Sequence, residues 1–255
     1  PETAITDFVA IARTIAAEIE AAGGQVRLST PVTGIERTVG GIAVTTSRGV
    51  ETVDRLVVCA GLQSDRLVED RKSGPRIVPF RGEYMAVTQA KREFVRGMVY
   101  PVPDPRYPFL GVHYTRRVSG ELEVGPNAVL ALEREGYRRS GFRARDVRDI
   151  VGWPGFWRLA RQHWRTGVTE VRGSLSRKAY MRYAQRYVPD IGAADVVRAG
   201  AGVRAQAVER DGSLVDDFRI THSNGITNVR NAPSPAATSS FAIAEYVVDQ
   251  VEQAG

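Results

Sequence analysis

Cysteine, lysine and histidine are scarce in this chain of 255 residues, and no apolar run is long. The lone Cys59 cannot close an internal disulfide, which fits a reducing compartment and excludes a small disulfide-stapled scaffold. The longest apolar runs, such as Leu56-Val57-Val58-Cys59-Ala60, stop far short of the ~20 residues that a bilayer-spanning helix needs. No basic-then-apolar leader precedes the first helix, so secretion is not expected and a cytoplasmic location is. The three histidines, His113, His163 and His222, are spread along the chain, and with one cysteine they offer no zinc spacing. No metal is expected. A G-x-S-x-G elbow and a P-loop are also missing.

What is present has ordinary globular proportions. With 43% hydrophobic and 25% charged residues, 25 Gly and 13 Pro, the chain can build one large domain or two small ones. Lys72, Lys91 and Lys178 are the only lysines, so 32 of the 35 basic residues are arginine, and the net charge is +6. Such a surplus suits a polyanion, an anionic small substrate or a solvated surface. The arginines are scattered and no RNA-binding aromatic signature accompanies them, so nucleic acid is not an expected partner.

From residue 7 to 22, Phe8, Ile11, Ala12, Ile15, Ala16 and Ile19 recur at helical spacing and predict one buried stripe. Thr3, Thr6 or Asp7 supplies the cap, and Gly23-Gly24 closes the helix. Short strands are expected at 25–28, 32–38, 42–46 and 55–60, with Gly40-Gly41 as a hairpin turn. The 55–60 run is apolar without alternation, as in a parallel strand covered on both faces. From residue 79 the pattern becomes antiparallel, with strands at 79–87, 98–101, 109–115 and 121–125 separated by Pro/Gly turns. Helices are expected at 144–164, broken by Pro154-Gly155, and at 174–187. A strand near 196–199 and a helix over 236–252, with Ala237, Phe241, Ala244, Val248 and Val251 on one face, complete the chain. The layout is an α/β layer interrupted by an α+β insertion.

Three segments can carry chemistry. Ala199-Gly-Ala-Gly-Val-Arg204-Ala205 approaches the G-x-G-x-x-G/A fingerprint, but the polar, glycine-interrupted 206–216 stretch is not the helix a pyrophosphate needs. Two readings stay open: a Cβ-poor backbone admitting something flat, with Arg204 pointing into that space, or a surface turn with a structural arginine. In Asn231-Ala-Pro-Ser-Pro-Ala-Ala-Thr-Ser-Ser240, Ser234 and Pro235 suit the N-cap and N1 of the last helix, whose N–H groups face an anion or a carbonyl-rich ring, or simply solvent. His113 alternates with Val112 and Tyr114 in an aromatic, proline-rich neighbourhood, and is either structural or a base. Spacing alone identifies no reaction.

Taken in order, Arg76-Ile-Val-Pro-Phe-Arg-Gly-Glu-Tyr84, Tyr100-Pro-Val-Pro-Asp-Pro105, Phe109-Leu-Gly-Val-His113, Val124-Gly-Pro-Asn-Ala128, Ala201-Gly-Val-Arg-Ala205, Leu214-Val-Asp-Asp-Phe218 and the 231–240 segment resemble a known family. It is that of the FAD-dependent L-2-hydroxyglutarate oxidases/dehydrogenases, within the D-amino-acid-oxidase-like group of glycine and sarcosine oxidases. The resemblance implies an FAD-binding domain over 1–78 and 196–255 and an antiparallel-sheet substrate domain over 79–195. It also implies a glycine-rich strand–turn–helix for the ADP half of FAD, lying ahead of Pro1. Cofactor contacts are implied at Val32, Ala60, Gly61, Gly202, Val203, Pro235, Ala236, Ala237 and Thr238.

By the same resemblance Arg204 clamps a substrate carboxylate, and His113 takes the hydroxyl proton while hydride leaves for the flavin. Arg81, Tyr84 and Tyr100 are implied for the distal carboxylate. The implied reaction is oxidation of L-2-hydroxyglutarate to 2-oxoglutarate, with electrons passing to oxygen or to an acceptor at the inner face of a membrane. An amine oxidase of the glycine or sarcosine type, a non-catalytic fragment and self-association stay open.

Overall fold

The computed structural model describes residues 4–67, 74–102 and 111–253. In chain order, α1 (Phe8–Ala21) is followed by β1 (Val32–Thr38), β2 (Gly41–Thr46), β3 (Gly49–Val53) and β4 (Leu56–Val58). Then come β5 (Arg76–Val87), β6 (His113–Arg116), β7 (Leu122–Gly125) and β8 (Val129–Leu130). Three helices, α2 (Ala144–Val151), α3 (Pro154–Leu175) and α4 (Arg177–Ala184), precede the long β9 (Val196–Val208). The chain closes with β10 (Arg219–Ser223), β11 (Ile226–Asn231) and α5 (Ser240–Gln253). Mixed parallel and antiparallel sheets with helices give an α/β plus α+β fold, as expected.

The chain divides into two compact units, one built mainly from 74–215 and the other from 6–73 and 216–255. The expected boundaries were 78/79 and 195/196. Residues 196–208 go with the 74–215 unit because β9 pairs antiparallel with β5 along almost its whole length, from Arg76↔Val208 to Val87↔Val196. The glycine-rich stretch is therefore strand, neither a phosphate loop nor a surface turn.

In the 74–215 unit, β5 is the central strand. One edge of it takes β9; the other takes β7 at Met85–Ala86 and β8 at Phe80–Arg81, with β6 outside β7. Between β7 and β8, Asn127 Oδ1 accepts the Glu83 N–H at 2.8 Å, so the backbone donor left by the gap is satisfied. Alternation along β5 separates two faces. Met85, Val87, Tyr114, Leu122 and Val124 face the core, where Tyr180, Met181 and Ala184 of α4 pack on them. A second cluster joins Val78 and Val208 to Ile150 of α2 and Leu159 of α3.

Gly82 is required by this packing. A Cβ there would sit 2.7 Å from Pro126 Cβ and 3.2 Å from the Asn127 carbonyl oxygen. Gly82→Ala should therefore destabilise this unit by about 1–3 kcal/mol, read as a lower urea midpoint at unchanged slope.

In the other unit, β1, β2 and β3 form an antiparallel meander, and β10, β11 and β4 form a second sheet in which β11 and β4 run parallel. Ile42, Val58 and Ile226 make its core. The strands at 32–38 and 42–46 lie where patterning puts them, the hairpin turn falls at Val39-Gly40 with Gly41 already opening β2, and residues 25–28 form no strand. Asp7 caps α1, its Oδ1 accepting from Val9 and Ala10 N–H groups at 2.9 and 3.1 Å. Thr3 lies outside the described residues, as do Pro103, Pro105 and Phe109.

The expected burial of both terminal helices is not what this unit shows. No residue of α1 is buried, and Phe8 and Ile19 are exposed. On α5 the buried residue is Val247, while Phe241, Ala244 and Val248 of the predicted face are exposed. That helix starts at Ser240, so Ser234 and Pro235 are not its N-cap and N1. Residues 235–239 fold instead as turns, with Ser239 N–H donating to the Pro235 carbonyl at 3.2 Å. Val57 of β4 is exposed, so that strand is not covered on both faces within its unit.

Candidate active site

The register of the β5 sheet collects the candidates of the 74–215 unit. Phe80 pairs with Arg204 and Gly82 with Gly202, so these four share one face, to which Tyr84 also belongs by alternation. With Val203 and the Pro126-Asn127-Ala128 segment they line a cavity of about 230 Å³. At Gly202 a Cβ would meet nothing within 4 Å, so the strand there presents bare backbone to open space. Of the two readings of this segment, the Cβ-poor backbone is what the fold contains.

Arg204 is exposed on this face. Its partial desolvation against the sheet pulls its pKa below the ordinary value and Tyr84 opposes the shift; an arginine starts so high that it remains a cation. Tyr84 has its pKa raised, first by burial, with Arg117 and Arg204 both working against the rise. The Arg117 guanidinium carbon lies 5.3 Å from the Tyr84 ring centroid. Tyr84 thus sits between two cations.

His113 begins β6 opposite Gly125, next to the Thr115↔Glu123 pair. Its ring stacks on Tyr100 with centroids 4.5 Å apart and planes at 28°. Its Nδ1 lies 3.0 Å from the Gly111 carbonyl oxygen. A carbonyl only accepts, so Nδ1 carries the proton of the neutral ring and Nε2 presents the lone pair. Burial lowers the His113 pKa and Arg117 lowers it further, against the Gly111 hydrogen bond that raises it. The net shift favours the neutral imidazole, the form a base needs. His113 does not line the cavity itself; Tyr100 and Tyr84 connect it to the Arg204 side.

Arg81 belongs elsewhere. It is buried on the opposite face of β5, where Nη2 and Nε meet Glu83 Oε1 at 3.0 and 3.2 Å and Nη1 meets the Arg138 carbonyl at 3.2 Å. Alternation puts it on the side of Glu83 and Met85, away from the cavity. Arg117 was missed by sequence reasoning. It follows β6 at even spacing from His113, a parity signal that names it, and its Nε donates to Glu123 Oε2 at 2.6 Å.

The implied cofactor positions fall in both units. Gly202 and Val203 line the cavity already described. In the other unit Val32 opens β1 and is exposed, and Ala60-Gly61 follow β4, Gly61 with φ +47°, in the left-handed region that favours glycine. Pro235, Ala236, Ala237 and Thr238 form the turn ahead of α5, where Thr238 Oγ1 donates to the Pro235 carbonyl at 2.9 Å. Among the described residues no group of three or more His, Cys, Asp or Glu is placed to hold a metal ion.

Comparison with known proteins gives the family of the chain. The chain is 45% identical over 274 aligned residues to the human mitochondrial L-2-hydroxyglutarate dehydrogenase, covering 99% of this chain and 59% of that protein. It is 41% identical to the L-2-hydroxyglutarate dehydrogenase of Indibacter alkaliphilus, over 98% of this chain and 63% of that one. The chain thus spans roughly three-fifths of the length of these curated relatives. Among solved structures, the FAD-bound L-alpha-glycerophosphate oxidase of Mycoplasma pneumoniae superposes with a TM-score of 0.66 at 20% identity, covering 94% of this chain and 54% of that one. The model of the DAO family, FAD dependent oxidoreductase, matches residues 1–250, and the chain belongs to that family.

Proposed function

We propose that this protein oxidises L-2-hydroxyglutarate to 2-oxoglutarate with FAD. The observation that carries this reading is Arg204 beside the glycine-floored cavity, with His113 on the same sheet. The chain's residues fit a flat cofactor: the open space at Gly202 is where a Cβ would otherwise project. We assign Gly202 and Val203 of the 74–215 unit to FAD. In the other unit we assign it Val32, Ala60, Gly61 and the Pro235, Ala236, Ala237 and Thr238 turn. FAD, when bound, takes up the hydride removed from the substrate's hydroxyl-bearing carbon.

The side chains do the rest. Arg204 presents a planar fork to the C1 carboxylate, two parallel N–H···O bonds that fix the carbon's orientation. His113 Nε2 accepts the hydroxyl proton, held in the right tautomer by the Gly111 carbonyl. Arg117, stacked on Tyr84 and tethered to Glu123, offers its remaining N–H groups to the distal carboxylate, with the Tyr84 and Tyr100 rings between. Electrons leave for oxygen or for an acceptor at a membrane surface, where the protein attaches peripherally. Neither acceptor requires a spanning helix, and none of the described helices is long and apolar enough to be one.

A glycine- or sarcosine-type oxidase is the second reading, since a one-carboxylate amino acid also needs Arg204. It gives Arg117 nothing to hold. Arg204→Lys should raise KM for L-2-hydroxyglutarate at least about tenfold, because a point-charge ammonium cannot replace the bidentate fork. An unchanged KM in a steady-state titration removes Arg204 from the site.

A further inference from the structure

The outward side of α3 is more apolar than its inward side. Trp157, Trp164, Val168, Val171 and Leu175 are all exposed, both tryptophans at 58% and Leu175 at 72%. Past the kink at His163, Trp164, Val168, Val171 and Leu175 fall at 100° per residue in one stripe about 60° wide, and Trp157 lies exposed ahead of it. The helix is kinked at His163, yet exposure continues on both sides of the kink. Its buried residues are Gly155, Leu159, Gly173 and Ser174, on the other side. All four arginines of α3, Arg158, Arg161, Arg165 and Arg172, are exposed, and past the kink Arg165 and Arg172 fall on one flank of the stripe. Its one acid, Glu170, points inward and accepts the Ala128 N–H at 2.9 Å.

We infer that this face of α3 docks on an anionic lipid bilayer, with the stripe lying in the headgroup–acyl boundary and the arginine flank on lipid phosphates. A helix that lies in the interface has this composition: aromatic and aliphatic residues on one side and cations beside them. The Trp157 indole N–H donates to the Val151 carbonyl at 2.7 Å, so the ring enters the boundary with its polar atom already satisfied. The Arg165 guanidinium carbon is 5.3 Å from the Trp164 ring centroid, which lets the cation sit at the rim while the ring inserts. A second copy of the chain would bring the same cations and no acid to meet them. Phosphate headgroups supply the missing charge. This surface rests on the membrane-side reading above and gives it a location.

The test is co-flotation of the purified chain with vesicles of phosphatidylcholine, alone or mixed with phosphatidylglycerol. The account expects flotation with the mixed vesicles, reduced by added salt, and a blue shift of tryptophan emission quenched by brominated acyl chains. Trp153 is buried, so the quenched signal belongs to Trp157 and Trp164. Trp164→Glu/Leu175→Glu, at exposed positions, should weaken binding about tenfold or more. Arg161→Gln/Arg165→Gln/Arg172→Gln should do so only on the anionic vesicles. Failure of the unsubstituted chain to float, or undiminished flotation of Trp164→Glu/Leu175→Glu, overturns the inference. So does a dimer that hides both tryptophans and is split by the same substitutions. Flavin reduction by L-2-hydroxyglutarate is read without vesicles, so a failure of the docking surface is distinguishable from a failure of the proposed reaction.

Discussion

His113→Gln in the FAD-loaded protein should lower kcat for L-2-hydroxyglutarate by about two to four orders of magnitude, the usual worth of a positioned general base. KM should change little, because Arg204 and Arg117 do the holding. The pH profile makes the assignment specific. Nε2 works only while unprotonated, so kcat/KM falls as pH drops through the His113 pKa. Burial first, and then Arg117, hold that pKa below the ordinary 6.5, so the acid limb should lie below pH 6.5. Arg117→Gln removes one of the lowering influences, and the limb should move to higher pH. A merely structural histidine would shift stability and leave the limb where it is.

The second large effect is on folding. Glu83 is buried and accepts from Arg81 twice, from Arg139 Nε at 2.9 Å and from Ser174 Oγ at 2.8 Å. Glu83→Gln would leave the Arg81 guanidinium buried, 6% exposed, without its carboxylate. That should cost about 3–5 kcal/mol, measured as a fall in the urea midpoint. Arg81→Met/Glu83→Met removes both charges and should recover most of the loss, since an apolar pair of similar volume avoids the desolvation penalty. If the recovered variant keeps KM near the wild-type value, Arg81 holds the sheet together and not the substrate. A large rise in KM would return it to the site.

Much of the sheet was legible from residue patterning, and the losses have local reasons. Strands 32–38 and 42–46 stand out because alternation and a Gly-Gly turn act within a few residues. Residues 199–205 carry glycines that read as loop, and only their pairing with Arg76–Val87 makes them strand. That pairing spans about 120 positions, from Gly82 to Gly202, beyond any local signal. Pro235 resembles a helix start by composition, yet turns occupy 235–239 before the helix begins. On the site, resemblance named Arg204, Tyr84, Tyr100 and His113; strand parity brings Arg204, Tyr84 and His113 to one sheet, and Tyr100 stacks on His113. The same parity was readable for Arg81: it alternates in step with Ile77 and Met85, both core residues, which marks it as inward-facing. Arg117 escaped because an arginine after a strand, beside a Gly turn, is by composition a solvated surface residue.

The most direct test of the proposed reaction is anaerobic titration of the FAD-loaded protein with L-2-hydroxyglutarate, followed by the flavin's visible absorbance. The flavin should bleach with L-2-hydroxyglutarate and not with sarcosine or glycine, and 2-oxoglutarate should form one for one with reduced flavin. Bleaching by sarcosine, or a flavin that stays oxidised at saturating L-2-hydroxyglutarate, would contradict it.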